Sequence, residues 1–281
     1  MKKLMKVVLK LNKTAFTNIT MALSIAILSS GCGGATTNNT IEAGGDESSP
    51  TDATVLFVDK SSSLQDSVAL LAIQTPLLRQ VIGATDEPGD AFYGYYIHGN
   101  TLSGKHFFSK VLAWEVPNLE GLGGPSRQKR IDAMNSERRK QQGQILKEIK
   151  AALLERNENS TNRETDIWAS LEVASRSFMS MPADTRKAII FVSDLEESVR
   201  GEHRRDFTKK APGNKAEAEE WAQVDLDWIN ANLDVKPEQL SGVKVTVYLP
   251  RDAHTSSDFQ QVRYYWEALF AHWGMELVAV N

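Results

Sequence analysis

Two stretches of this chain place hard oxygen donors at the ends of apolar runs. The first is Thr54-Val55-Leu56-Phe57-Val58-Asp59-Lys60-Ser61-Ser62-Ser63, which closes on Asp-x-Ser-x-Ser. The second is Ala188-Ile189-Ile190-Phe191-Val192-Ser193-Asp194, preceded by Thr165-Asp166 at the start of a helical pattern. Uninterrupted apolar runs of this length are what strands buried on both faces of a parallel sheet require. Ligands of open α/β sheets lie beyond the carboxyl ends of such strands, so Asp59 and Asp194 are expected on one edge. Ser61 and Ser63, two residues apart on the loop after Asp59, can turn toward one point, and Thr165 reaches it from a third loop. Five oxygen donors without His or Cys suit Mg2+ or Mn2+ rather than zinc. Only Asp59 and Asp194 carry charge, so a dication held here stays electrophilic and can accept a carboxylate from another molecule.

The three segments, in this order and in these strand and helix contexts, resemble the metal-ion-dependent adhesion site of the von Willebrand factor A (vWA) family. The resemblance covers residues 52–281 and is weakest over about 100–160. It implies that Ser61, Ser63 and Thr165 contact the metal and that Asp59 and Asp194 act largely through bound water. Lys60 and Ser62 stand where the family often has a small residue and Gly, and a side chain at the Lys60 place normally points away from the metal. The implied role is non-enzymatic: a protein partner held through an acidic side chain that completes the coordination. Two rivals remain. One is a Mg2+-dependent hydrolase using Asp59 or Ser61 as nucleophile, although the chain lacks an Asp-x-Asp pair after the first strand, a Gly-rich loop ending in Lys-Ser/Thr, and a Gly-x-Ser-x-Gly elbow. The other is a vWA scaffold that no longer binds metal.

The amino end carries Lys2, Lys3, Lys6, Lys10 and Lys13 with no acid, then an apolar stretch over about Ala22–Leu28, then Ser29-Ser30-Gly31-Cys32. That is the shape of a secretory signal, and Cys32 after Gly31 resembles the lipobox of bacterial lipoproteins, with Ser29 where Leu is usual. Residues 1–31 read as signal peptide and Cys32, the single cysteine, as the lipidated first residue. Residues 32–50, small and polar, read as a tether, and 51–281 as one α/β domain. By family analogy, Gly33 after the Cys favours the periplasmic face of the outer membrane in a cell that has one. Losing residues 1–31 removes five of 32 basic residues and no acid, so the formal charge moves from −4 to −9, which argues against nucleic acid as a partner.

The positioning elements follow from periodicity. Leu64, Val68, Leu71, Thr75, Leu78 and Ile82 mark the core face of a helix that Pro76 should kink or split. Residues 91–98 and 105–114 read as a pair of strands, and Gly121–Pro125 as a loop. A long charged stretch from Ser126 to about Asn157 has an apolar seam of Ile131, Met134, Ile145, Ile149 and Leu153. Ile167, Leu171, Ala174, Phe178 and Met181 form a helix ending at Pro182. A helix near 215–232, a strand over 243–249, a helix with the stripe Phe259, Val262, Trp266, Leu269, Phe270 and Trp273, and a strand over 276–280 complete the pattern. Strand and helix alternate through the second half, as in a doubly wound, mostly parallel sheet with helices on both faces and one antiparallel edge strand. Trp266 and Trp273 read as core or, alternatively, as a partner surface. Arg204 and Arg205 either steer an anionic partner or belong to a solvated loop balanced by Glu196, Glu197, Glu202 and Asp206. The five histidines show no metal-ligand spacing.

Overall fold

Six strands form one sheet in the order β3-β2-β1-β4-β5-β6 in the computed structural model, which describes residues 51–60, 67–103, 106–155, 164–249 and 257–280. The strands are β1 (Asp52–Asp59), β2 (Ala91–Ile97), β3 (His106–Val111), β4 (Arg186–Val192), β5 (Lys244–Tyr248) and β6 (Glu276–Val280). All neighbours run parallel except β2 and β3. The central strand β1 is flanked by β2 and β4, with Val58 opposite Tyr96 on one side and Val192 on the other. The expected architecture is therefore present, its antiparallel strand β3 lying at an edge.

The period of two along each strand divides the core into two layers. Val55 and Phe57 of β1 and Ile189 and Phe191 of β4 pack on α3 (Trp168–Phe178), α4 (Lys215–Asn232) and α6 (Ser257–His272). Leu56 and Val58 with Ile190 and Val192 face α1 (Ser67–Gly83) and α2 (Gly124–Leu154) on the other side. A short helix, α5 (Pro237–Leu240), precedes β5. Both apolar layers lie within one compact unit, Ser48–Asn281. Gly94 is fixed by its neighbour strand: a Cβ there would lie 2.3 Å from the Phe107 ring, beside the register shift between β2 and β3.

Two expectations are corrected here. Of the two outcomes expected of Pro76, a split is absent: α1 is one helix with Pro76 inside it. Ala72, whose carbonyl loses its partner to the proline, is exposed and open to water. Its core face is Leu70, Ile73, Leu77 and Val81, whereas Thr75 and Ile82 are exposed. Two apolar stripes a single residue apart, about 100° of rotation, run along this segment, and the sheet selects one of them. α2 begins already at Gly124, with Pro125 in its first turn, and only its carboxyl half is buried, at Gln141, Gln142, Ile145, Ile149, Ala152 and Leu153. Ile131 and Met134 are only partly covered. The Trp266 and Trp273 stripe is core, as its spacing indicated, at 0% and 5% exposure.

Candidate metal and partner-binding edge

The sheet reverses its strand order between β1 and β4, because the first crossover leads outward to β2 and the later ones lead the other way. At such a switch point the loops diverge and leave a crevice beyond the carboxyl ends of the two strands. Asp59 ends β1 and Asp194 follows β4 by two residues, so both acids stand at that crevice. The carboxylate of Asp59 is buried, and its Oδ2 accepts a 2.8 Å hydrogen bond from the Ser193 hydroxyl. Ser193 Oγ in turn accepts from the Leu195 amide, and Asp194 Oδ1 accepts from the Glu196 amide. Leu195 takes φ 60°, a left-handed turn for a non-glycine residue, and its carbonyl is held by the indole of Trp266 at 2.8 Å. Strain of that kind persists only where surrounding contacts fix it, as they do here.

Thr165 is brought to the same edge by the backbone. Its amide donates to Ser198 Oγ at 2.8 Å, and its carbonyl accepts from the Ser198 amide at 3.1 Å. The next amide, that of Asp166, donates to the His98 carbonyl beyond β2. Thr165 lies in a loop, as expected, but is only 2% exposed, because the segment is clamped between the ends of β2 and β4. Ser61 and Ser63, the other two expected ligands, lie outside the described residues, as does Cys32. Lys60 reaches away to the carboxyl end of α2, where its ammonium donates to the carbonyls of Ala152 and Glu155 and lies over the Tyr96 ring. A lysine on the last carbonyls of a helix satisfies groups that lack intrahelical partners. Burial there lowers the Lys60 ammonium to about 8.

Arg204 and Arg205, read from the sequence as steering a partner or as part of a solvated loop, are structural instead. Arg204 stacks over Trp168 and Trp228 and donates to Asp166 Oδ1 at 2.6 Å and to Glu197. Glu197 is fully buried, and its Oε2 accepts from the amides of Ile167 and Trp168 at 2.7 and 3.1 Å, so an acid from the β4 loop satisfies the free amides at the start of α3. Asp166 Oδ1 accepts from the Ala169 amide in the same turn. Complete burial pushes the Glu197 carboxyl up, against the pull of Arg204. Arg205 grips Asp225 through two hydrogen bonds at 2.6 and 2.8 Å, and Asp225 also accepts from the Tyr265 hydroxyl, which accepts from the Trp168 indole. Neither a steering role nor a solvated loop describes these residues. Sequence reasoning missed Glu197, Ser193 and Ser198. The one signal was a pair of acids directly after a buried strand, and nothing local says which of the two turns inward.

The donor chemistry at the edge fits a hard dication. Every described donor is oxygen, and the negative charge is crowded: burial and the carboxylates of Asp194, Asp258 and Asp206 push the Glu196 carboxyl up to about 7. Among the described residues no group of three or more His, Cys, Asp and Glu side chains is placed to hold a metal, and the expected set contains only two carboxylates. A cavity of about 480 Å3 opens elsewhere, lined by Asp52, Arg186, Lys187, Glu238 and Lys244 near the amino ends of β1, β4 and β5.

No protein-family model matches the chain, and comparison with curated proteins finds no match. Among solved structures the chain is similar to the pilus adhesin SpaC of Lactobacillus rhamnosus GG in its open conformation, at 15% identity and a TM-score of 0.38, covering 79% of this chain and 27% of that one. It is also similar to proximal thread matrix protein 1 of the mussel byssus, at 13% identity and a TM-score of 0.32, covering 79% and 48%. The human COPII-coat protein Sec24c matches at 11% identity and a TM-score of 0.34, covering 83% and 29%. The chain thus spans less than half the length of each. These similarities are slight, and the α/β assignment rests on the strand pairing and helix packing above.

Proposed function

We propose that this chain is a vWA-like binding module that holds a protein partner through a divalent cation at the carboxyl edge of β1 and β4. The observation that carries this reading is the convergence of Asp59, Thr165 and Asp194 on the switch point of the sheet, with Ser198 and Ser193 fixing two of the three segments. Ser61, Ser63 and Thr165 would hold Mg2+ or Mn2+ directly, with Asp59 and Asp194 behind them. The ion supplies an electrophilic position that an acidic side chain of the partner can fill. The chain's own part is to keep that edge ordered: Glu197 and Arg204 anchor the start of α3, and Lys60 is drawn aside to α2. Lipidation at Cys32 would tether the module to the cell envelope, on the periplasmic face of the outer membrane in a cell with two membranes. The same reading makes it a non-enzymatic protein.

The test is calorimetry and thermal unfolding of the fragment 48–281, which contains both apolar layers, with Mg2+ or Mn2+. One weakly bound ion is expected, because the ligands are mostly neutral and Mg2+ releases its water reluctantly. Asp59→Ala should abolish the response. Zinc binding with no response to Mg2+ or Mn2+ sinks the assignment. Turnover of phosphate or acyl esters that Asp59→Asn stops would replace it with the hydrolase.

A further inference from the structure

α2 carries eight basic and three acidic residues, a formal +5 in a chain whose total is −4. The segregation is sharper on the surface. Arg127, Lys129, Arg130, Arg139, Lys140, Lys147 and Lys150 are exposed, and Asp132 is the one exposed acid of the helix. At about 100° per residue, Lys129, Arg139, Lys140, Lys147 and Lys150 fall within roughly 100° of arc, opposite the buried face of Ile145 and Ile149. Lys129 and Lys150 are about 32 Å apart along the axis at 1.5 Å per residue. Among the described residues, Lys129, Arg139, Lys147 and Lys150 take part in no ion pair.

The placement also defies local helix chemistry. The first turn of α2 has no acid, its N-cap Gly123 makes no side-chain capping bond, and Arg127, Lys129 and Arg130 crowd the positive end of the helix dipole. Exposed positions that break a local rule are where a role outside the fold is expected. Burial in α2 starts only at Gln141, and among the described residues only Arg130, on the Asn118 carbonyl, and Lys140, on Glu137, of these exposed cations have a partner inside the molecule.

We propose that the outer face of α2 is a docking surface for an anionic phospholipid bilayer. A row of cations on a rigid rod, broken only by Asp132, matches a flat charged surface, whereas the acidic remainder of the chain would be repelled by a nucleic acid that wrapped it. The contact is peripheral, since no helix among the described residues is long and apolar enough to cross a membrane, and the exposed Leu154 at the carboxyl end of the stripe is its one large apolar side chain. With Cys32 lipidated as proposed above, the 19 residues between it and Asp52 would reach at most about 65 Å when fully extended and would keep the domain near the bilayer. The proposal rests on the charge pattern and stands whether or not the metal edge binds an ion.

The experiment is co-sedimentation of the fragment 48–281 with phosphatidylcholine vesicles, with and without phosphatidylglycerol, over a salt series. Binding should require phosphatidylglycerol and fall as salt rises. The variant Lys129→Gln/Lys140→Gln/Lys147→Gln/Lys150→Gln, whose changes are all exposed, should keep wild-type circular dichroism. Each lysine removed should weaken partitioning about fivefold, so the four together should bring binding to the phosphatidylcholine level. A control with Lys209, Lys210, Lys215 and Lys244 changed to Gln should bind as wild type. Equal loss in the control reduces the effect to net charge and overturns the site. So does wild-type binding by the α2 variant, absence of any binding to phosphatidylglycerol vesicles, or tighter binding of a short DNA duplex than of the vesicles.

Discussion

The Ser193 hydroxyl donates to the carboxylate of Asp59 across the boundary between β4 and β1, at 2.8 Å and out of contact with solvent. The bond joins the last residue of β1 to the residue just after β4, 134 positions apart in sequence. It orients one oxygen of Asp59 while leaving the charge in place, which is what a residue acting behind a metal-bound water needs. Ser193→Ala should therefore leave the fold intact and weaken Mn2+ binding about tenfold or more, since partners that orient ligands typically contribute 10- to 100-fold in affinity. Calorimetry on the variant checks this, and unchanged affinity would show that the bond serves only the sheet.

Thr165 separates hydroxyl from backbone. Thr165→Ala keeps both hydrogen bonds between the backbone of residue 165 and Ser198, so its stability loss should stay near 1 kcal/mol. Chelator-sensitive capture of the partner should vanish, whereas Thr165→Ser should retain it. A pull-down from membrane extracts with and without chelator reads both variants together.

Removing one partner of the Glu197 and Arg204 pair should be far more damaging. Glu197→Ala leaves a buried guanidinium and uncaps α3, and losses of about 3–5 kcal/mol are usual for a broken buried pair. Urea unfolding should show this, with Glu202→Ala, an exposed acid of the same loop, near wild type.

Crowded charge at the edge opposes folding. Asp194→Asn can keep the bond from the Glu196 amide while removing one of the charges facing Glu196. The metal-free variant should melt about 2–4 °C higher than wild type, on the order of 1 kcal/mol, and should no longer be stabilised by Mn2+. A lower melting point without metal would show that Asp194 is a structural acid.

Burial and the Asp225 carboxylate raise the Tyr265 phenol well above its ordinary value of 10.0. The folded state keeps that proton where the unfolded chain has lost it, so stability is unaffected below pH 10 and falls as pH rises beyond it. Tyr265→Phe should be less stable at neutral pH, since it loses bonds to Trp168 and Asp225, yet show a shallower alkaline decline. Thermal unfolding across the alkaline range checks the slope.

The scaffold was legible because its signals are local. Val55–Val58 and Ile189–Val192 are apolar without alternation, and that alone marks central strands of a parallel sheet. The stripe from Phe259 to Trp273 has one apolar face, so its orientation was unambiguous. In α1 two faces competed, and only the shape of the sheet decides for Leu70 and Leu77 over Thr75 and Ile82. The clamp on the site was illegible for a different reason. Glu197, Ser198 and Arg204 act on residues about 30 positions away, and a charged loop gives no periodicity from which inward and outward side chains can be told apart. Arg204 and Arg205 read as surface because charge is usually solvated; the stacked indoles of Trp168, Trp221 and Trp228 are what make their burial tolerable.

The cap that Glu197 places on α3 has a consequence for the order of assembly. The amides of Ile167 and Trp168 have no partner of their own until β4 has docked beside β1 and the chain beyond it has turned back. Arg204, which neutralises the cap, follows seven residues later still. Contacts of that separation form after the local ones, since the chain entropy of closing the intervening loop must first be overcome. The sheet can therefore exist as a framework before its carboxyl edge has taken shape, so that edge is the late-forming part of the fold.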